Sequence, residues 1–321
     1  MEPFSYAAAF NLALALRGAG DTPAAIECAK RTLQMKPTAE LYNLLGSLEE
    51  SANDYLNAVA HFRKAVDLEP ASEQYYFDLG VEYLTHFTFG PALEAFDVGC
   101  RKFPTSSRQF VGKGLAHYSL RQYMEGAEAL ARALEIDPSS PGSYAAWDAL
   151  QSFLTPLDWE RLSPRLRRLS ELYPDSAEAK FCYGQGAVRL AQASHRPEYF
   201  ELAQSMLKEV VRLKPAFADA FFELGNMYAA RKENEHAVKV LLEAVRLAPR
   251  SERAHYRLGQ IYRDLNQLQL AERELSRYSE LVTNRHEQVV RSRSASQQFV
   301  LAQPGVGPAP TGDTAKQSTP K

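Results

Sequence analysis

The chain has 321 residues, 45% of them hydrophobic, with 37 Lys and Arg against 39 Asp and Glu. That near balance argues against attraction of the whole protein to nucleic acid or to an anionic membrane. No stretch reaches the roughly 18 apolar residues that cross a bilayer, and Cys28, Cys100 and Cys182 lack the paired spacing of a disulfide framework or a zinc site.

The opening Met1-Glu2-Pro3-Phe4 has neither the basic region nor the apolar core of an export signal. A cytoplasmic protein is expected; an export signal upstream of this start would instead make it periplasmic or secreted. The next signal is a ladder of prolines, Pro37, Pro70, Pro104, Pro138, Pro174, Pro215 and Pro249, at intervals of 33, 34, 34, 36, 41 and 34 residues. A period near 34 residues is the mark of stacked helix pairs, in which each unit touches only its neighbours.

With the proline numbered position 32, the repeats fall near 6–38, 39–72, 73–106, 107–140, 141–176, 177–217, 218–251 and 252–285. The first carries Phe10, Leu12, Ala13 and Ala25 at positions 5, 7, 8 and 20. The second repeats the phrase with Tyr42, Leu45, Gly46, Ala58, Phe62 and Ala65, and the third with Tyr76, Leu79, Gly80, Ala92, Phe96 and Gly99. The fourth has Phe110, Gly114, Gly126, Leu130 and Ala133. Positions 4, 7, 8 and 11 share one face at helical spacing, and small residues at 8 and 20 let two antiparallel helices approach closely. Proline at 32 cannot continue the second helix.

The fifth and sixth repeats depart from the phrase. In the fifth, Leu162 and Leu169 replace the small residues at 20 and 27, and Thr155-Pro156 and Ser163-Pro164 each read as an N-cap with proline at N1. Its second helix is therefore expected to be split or kinked. The sixth has about seven extra residues, assigned to the turn around Ser194-His195-Arg196-Pro197. The seventh returns to form with Phe221, Leu224, Gly225, Ala237, Leu241 and Ala244, and the eighth with His255, Leu258, Gly259, Ala271 and Leu275. There Tyr278 replaces the small residue at 27 and no proline follows, so residues 286–300 are expected to form a capping helix. The segment 301–321, rich in Pro, Gly, Ser and Thr, is expected to be a disordered tail.

The runs Tyr42-Asn43-Leu44-Leu45-Gly46, Tyr76-Phe77-Asp78-Leu79-Gly80-Val81-Glu82-Tyr83, Phe221-Phe222-Glu223-Leu224-Gly225-Asn226-Met227-Tyr228 and His255-Tyr256-Arg257-Leu258-Gly259-Gln260-Ile261-Tyr262 stand in phase. Together they make the chain resemble the tetratricopeptide repeat family of bacterial type over about residues 4–285. The resemblance implies an all-α, right-handed α-solenoid superhelix of about eight helix-turn-helix repeats. It further implies that helix A lines a concave groove, with positions 2, 5, 9, 12 and 13 pointing into it.

On that reading the groove carries Phe77, Val81, Val111, Tyr118, Phe181, Phe222, Asn226 and Tyr256, with Arg253 and Arg257 as a cationic end. The competing outcome is burial of these side chains between neighbouring helices. The family's carboxylate clamp is not matched, because Phe181, Gln185 and Glu223 occupy its positions.

No catalytic constellation, metal-ligand spacing or cofactor motif is found: Gly112-Lys113-Gly114 lies within a helix rather than a phosphate loop, and the seven histidines are scattered. The basic cluster Arg161, Arg165, Arg167 and Arg168 is confined to one repeat and reads as a solvated helix face. The expected function is a non-enzymatic scaffold or adaptor that binds a peptide or helix of another protein, with no nucleic acid and no membrane insertion. The alternatives are a targeting module for a transferase or protease, or a self-associating array.

Overall fold

The computed structural model describes the backbone of residues 5–302 and the side chains of residues 5–287. Sixteen helices and no strands occupy the described residues. The chain divides into two compact units, the first ending at Pro215 and the second beginning at Ala216.

The first unit holds six helix pairs. They are α1 (Tyr6–Gly18) and α2 (Thr22–Met35), α3 (Ala39–Ser51) and α4 (Tyr55–Leu68), α5 (Glu73–Thr85) and α6 (Phe89–Lys102), α7 (Ser107–Ser119) and α8 (Tyr123–Ile136), α9 (Pro141–Gln151) and α10 (Pro156–Leu172), and α11 (Ala177–Ser194) and α12 (Pro197–Leu213). The second unit holds α13 (Ala218–Ala230) with α14 (Asn234–Leu247), and α15 (Glu252–Asp264) with α16 (Leu268–Ala302). Helix α16 carries the backbone of residues 286–300 as a direct continuation of the last repeat. The tail expected over 301–321 lies outside the described residues from 303 onward.

Local chemistry sets the helix boundaries. After four of the seven repeat prolines a hydroxyl caps the next helix: Thr38 accepts from the Leu41 amide, Ser106 from Gln109, Ser140 from Ser143 and Ser176 from Ala179. The turn between the two helices of a pair passes through a left-handed residue at position 15: Gly20, Asn53, Phe87, Arg121, Lys232 and Asn266, all with φ between 58 and 80°. The amide after it bonds back into the first helix, as Asp54 does to the Glu49 carbonyl at 2.8 Å and Thr88 to Tyr83 at 2.9 Å. The recurrence of one turn geometry keeps successive pairs alike.

Position 8 is small for a specific reason. A Cβ added at Gly46, Gly80, Gly114 or Gly259 would lie 2.6–2.9 Å from the large side chain at position 24 of the same repeat, Phe62, Phe96, Leu130 or Leu275. At Gly225 the same atom would collide with Leu241. The small residue on one helix is thus the socket for the large one on the other, while Ala25, Ala58, Ala92 and Ala237 at position 20 are fully buried.

Two expectations about the irregular repeats are corrected. Helix α10 is one unbroken helix: Thr155 and Asp158 form a reciprocal capping box with Pro156 at N1, but Ser163-Pro164 starts no second helix and Pro164 lies inside. Leu162, Leu166 and Leu169 are buried on both sides of the proline, and this shared apolar stripe keeps the helix continuous past the missing amide. The pair itself opens instead. Asp148 stands at position 8 and Leu162 at position 20, so the small-residue contact is gone. Helix α9 packs on α7 and α8, while α10 packs on α8 and α11. Trp147 and Trp159 fill the space between them, edge to face at 5.9 Å.

In the sixth repeat the extra residues lengthen the helices rather than the turn. Helices α11 and α12 have 18 and 17 residues where α13 and α14 have 13 and 14, and only His195 and Arg196 join them. The Ala-rich run Ala187 to Ala193 favours helix over loop, and Pro197 begins α12 at a position where its missing amide costs nothing.

Candidate partner-binding surface

The residues at positions 2, 5, 9 and 12 of the first helix of each pair form a face in each unit, and the two faces are described separately. In the first unit, Phe77 on α5 is half-buried. Its ring meets Phe96 edge to face at 6.1 Å and carries the Arg108 guanidinium 4.9 Å above it. Arg108, from α7, also donates Nε–H to Glu73 at 2.6 Å and Nη1–H to Gln74 at 2.7 Å. The Arg108 hydrogen bond holds the Glu73 carboxyl below its ordinary range. Position 5 of one repeat and position 2 of the next are thus latched together by a cation over an aromatic ring.

One turn along α5, Val81 is 38% exposed. On α7, Val111, Leu115 and Tyr118 are half-buried against the tryptophan core. Tyr118 stands 5.6 Å from Phe153 and 6.0 Å from Tyr123, and those two rings stack at 4.7 Å. Phe153 is 46% exposed and was not picked out by the repeat pattern, because it lies in the turn after α9, where the fifth repeat departs from the consensus. Toward the N-terminal side the face turns polar: Asn43 donates to Asp78 at 2.9 Å and Gln74 to the other Asp78 oxygen at 2.6 Å. Burial raises the Asp78 pKa in spite of these bonds.

Phe181 does not belong to this face. It is buried at 7% exposure, within a run of eight consecutive buried residues of α11. Helix α11 packs on both α10 and α12, and a position open in regular repeats is closed here. The expectation that Phe181 offers contact area to a partner is corrected on that ground.

In the second unit, Phe222 on α13 is half-buried beneath the Arg253 guanidinium at 4.7 Å, and Arg253 forms an ion pair with Asp219. The Phe77–Arg108 latch recurs here at the same repeat positions. Arg253 is therefore engaged within the chain, against the expectation of an open cationic end. Arg257 is half-buried and donates to Gln260 at 3.0 Å. Asn226 is half-buried, and Tyr256 is 44% exposed over Tyr278 at 5.1 Å between centroids.

Several other charged groups are paired within the chain. Arg165 grips Glu135 through Nε and Nη2 at 2.7 and 3.0 Å, and Arg167 pairs with Glu171, so the basic cluster of α10 is partly spent on the protein's own acids. Buried Glu49 accepts from His61 Nδ1 at 2.5 Å and lies 3.4 Å from Lys30 Nζ. Burial pushes the Cys100 thiol up to about 12 and the Cys182 thiol up as well, which disfavours the thiolate at neutral pH. Among the described residues no group of three or more His, Cys, Asp or Glu could hold a metal ion, and no helix is long and apolar enough to cross a membrane.

Three tetratricopeptide-repeat family models match the chain, over residues 3–81, 225–266 and 252–281. Anaphase-promoting complex subunit 3 of Schizosaccharomyces pombe is 24% identical over 183 residues, which span 57% of this chain and 27% of that protein. Human DnaJ homolog subfamily C member 7 is 24% identical over 203 residues, 60% of this chain and 40% of its own length. The chain thus spans less than half the length of these two relatives. Among solved structures, YrrB, described as a tetratricopeptide-repeat protein with an unusual peptide-binding site, is 22% identical with a TM-score of 0.42, covering 71% of this chain and 96% of its own. Repeat phrase, paired helices and matching family models agree that the matched stretches, residues 3–81 and 225–281, are tetratricopeptide repeats.

Proposed function

We propose that this protein is a cytoplasmic, non-enzymatic scaffold that holds a peptide or helix of a partner protein against the first-helix faces of its repeats. The observation that carries this reading is the apolar strip of Phe77, Val81, Val111 and Tyr118, extended by Phe153, in the first unit. Phe222, Asn226 and Tyr256 form a shorter strip in the second. Half-buried apolar side chains rest on the core with one side and leave the other open, so their rotamers are restrained by neighbours. This preorganisation lowers the ordering cost of binding an extended segment.

The apolar members supply area, the Arg108–Phe77 and Arg253–Phe222 latches keep the faces in shape, and Arg257 with Asn226 supplies polar recognition. A relative named as a subunit of a complex fits the same reading. Three unpaired cysteines suit a reducing compartment.

The test is affinity capture with the full chain, comparing wild type with Val81→Glu/Tyr256→Ala and with the control Lys64→Glu on the second helix of its repeat. Val81 and Tyr256 are exposed members of the two faces, one in each unit, so the changes spare the core. A partner held by wild type and by the control but lost from the double variant, at unchanged helicity and melting, supports the reading. Equal capture by all three refutes it.

A further inference from the structure

Position 7 of the repeat is leucine in the first, second, third, seventh and eighth repeats, and its burial depends on what packs against it. Leu45, Leu79 and Leu258, each covered by the preceding pair of its own unit, are 0%, 7% and 0% exposed, whereas Leu12 on α1 is 41% exposed. Around it, the outer face of α1 and α2 opens into a hollow of about 510 Å³, lined by Ala9, Leu12, Cys28, Thr32 and Met35. Met35 is 53% exposed, and the Cys28 thiol is turned inward, donating to the Ala9 carbonyl at 3.4 Å. This is a repeat interface with nothing on its outer side among the described residues.

We propose that the occupant of this face is the same face of a second copy, in a two-fold head-to-head dimer through α1 and α2. Two observations select that occupant. First, the hollow is edged on α2 by Glu27 and Arg31, one turn apart, joined at 2.9 Å and largely exposed. A two-fold axis that sets the two α2 helices antiparallel brings Glu27 of each copy to Arg31 of the other, so the rim is complementary to itself in sign, as an isologous interface requires.

Second, the surface of the last helix pair is mixed rather than wholly apolar: Arg263 and Glu272 stand beside Leu268 and Leu275 there. The cavity beside α16 is lined by Arg250, Glu252, Arg277, Glu280 and Arg285. A head-to-tail stack would set those charges against Leu12 and Met35, and desolvating them there is costly. Apolar surface meeting apolar surface, with the rim charges alternating, is the arrangement that buries Leu12 as its counterparts are buried.

The experiment is sedimentation equilibrium of the full chain over a roughly hundredfold concentration range, where a dimer shows as concentration-dependent mass. The expected result is a doubling of mass for wild type. Leu12→Glu and Met35→Glu should each remain single-chain mass throughout, with helicity unchanged. Glu27→Arg and Arg31→Glu should each weaken the dimer about tenfold or more, corresponding to at least 1.4 kcal/mol. The double exchange Glu27→Arg/Arg31→Glu should recover most of that loss, because it restores opposite signs across the axis.

A wild-type chain of single mass across the range overturns the proposal and gives the face to a preceding segment or to another protein. A dimer that persists in both Leu12→Glu and Met35→Glu overturns it by placing self-association elsewhere. If the charge-exchanged double variant is no better than the singles, the two-fold register is wrong and the proposal fails in that form.

Discussion

Gly80 and Gly184 hold the same repeat position and should respond in opposite directions to alanine. A Cβ at Gly80 would lie 2.6 Å from the buried Phe96 ring, whereas at Gly184 the nearest atoms, on Met206 and Leu207, are 3.3–3.4 Å away. Gly80→Ala is expected to cost about 1–3 kcal/mol by overpacking. Gly184→Ala should be neutral or stabilising by up to about 1 kcal/mol, because alanine is the better helix former; denaturant titration of the two variants measures both.

A second residue-scale case is Glu82, buried on α5 with its carboxylate 3.4 Å from His86 Nε2. Burial, and secondarily Glu50, pushes its pKa from 4.5 up to about 7. Between those values the folded chain holds a proton that the unfolded chain has lost, so stability attributable to Glu82 falls as pH rises from about 4.5 to 7 and is level above. Glu82→Gln should remove that slope and raise the melting temperature most at pH 8, with little effect at pH 4. A melting-temperature series across that range would show no change in slope if Glu82 titrated normally. The repeat phrase made neither residue conspicuous in these roles: Glu82 lies between consensus positions, and Gly184 shares its position with Gly80 although its neighbours stand farther off.

At the scale of the element, α10 separates what residue types suggest from what packing selects. Two Ser/Thr-Pro pairs promised two helix starts, and only Thr155-Pro156 became one. The second proline was absorbed because Leu162, Leu166 and Leu169 bury one continuous stripe. An interior proline still forgoes a backbone hydrogen bond, so Pro164→Ala should stabilise the protein by about 1–3 kcal/mol, read as a higher denaturation midpoint. An unchanged or lowered midpoint would mean that the proline meets a bend that the helix requires. Helices α11 and α12 teach the complementary lesson. Inserted residues read as a loop from spacing alone, yet a segment rich in alanine with an apolar face extends an existing helix at less cost than it forms a loop.

For the whole molecule, the division at Pro215 has a spectroscopic consequence. Both tryptophans, Trp147 and Trp159, lie in the core of the first unit at 2% and 1% exposure. Their emission therefore reports that unit alone, while far-ultraviolet circular dichroism sums over both. The second unit rests on a smaller core of Leu241, Leu258, Ile261 and Tyr262, and stability in such arrays is a sum of local terms. The dichroism midpoint is expected at lower denaturant than the fluorescence midpoint. Coincident transitions would show that the two units unfold as one cooperative body.

Read without a structure, this chain specifies its period, its helix pairs and its family, because the positions that say so are local: a proline ends a helix, a cap begins one, and small and large residues alternate at helical spacing. Sequence also marked Phe77, Val81, Val111, Tyr118, Phe222 and Tyr256 as side chains that the repeat core does not require. Tertiary structure alone decided which side chains reach the surface. Phe181 was buried among its neighbours, Arg253 was drawn onto Asp219 and Phe222, and Leu12 is left bare among the described residues where its counterparts are covered. These outcomes depend on the neighbour that each helix meets, and no periodicity within one repeat carries that information.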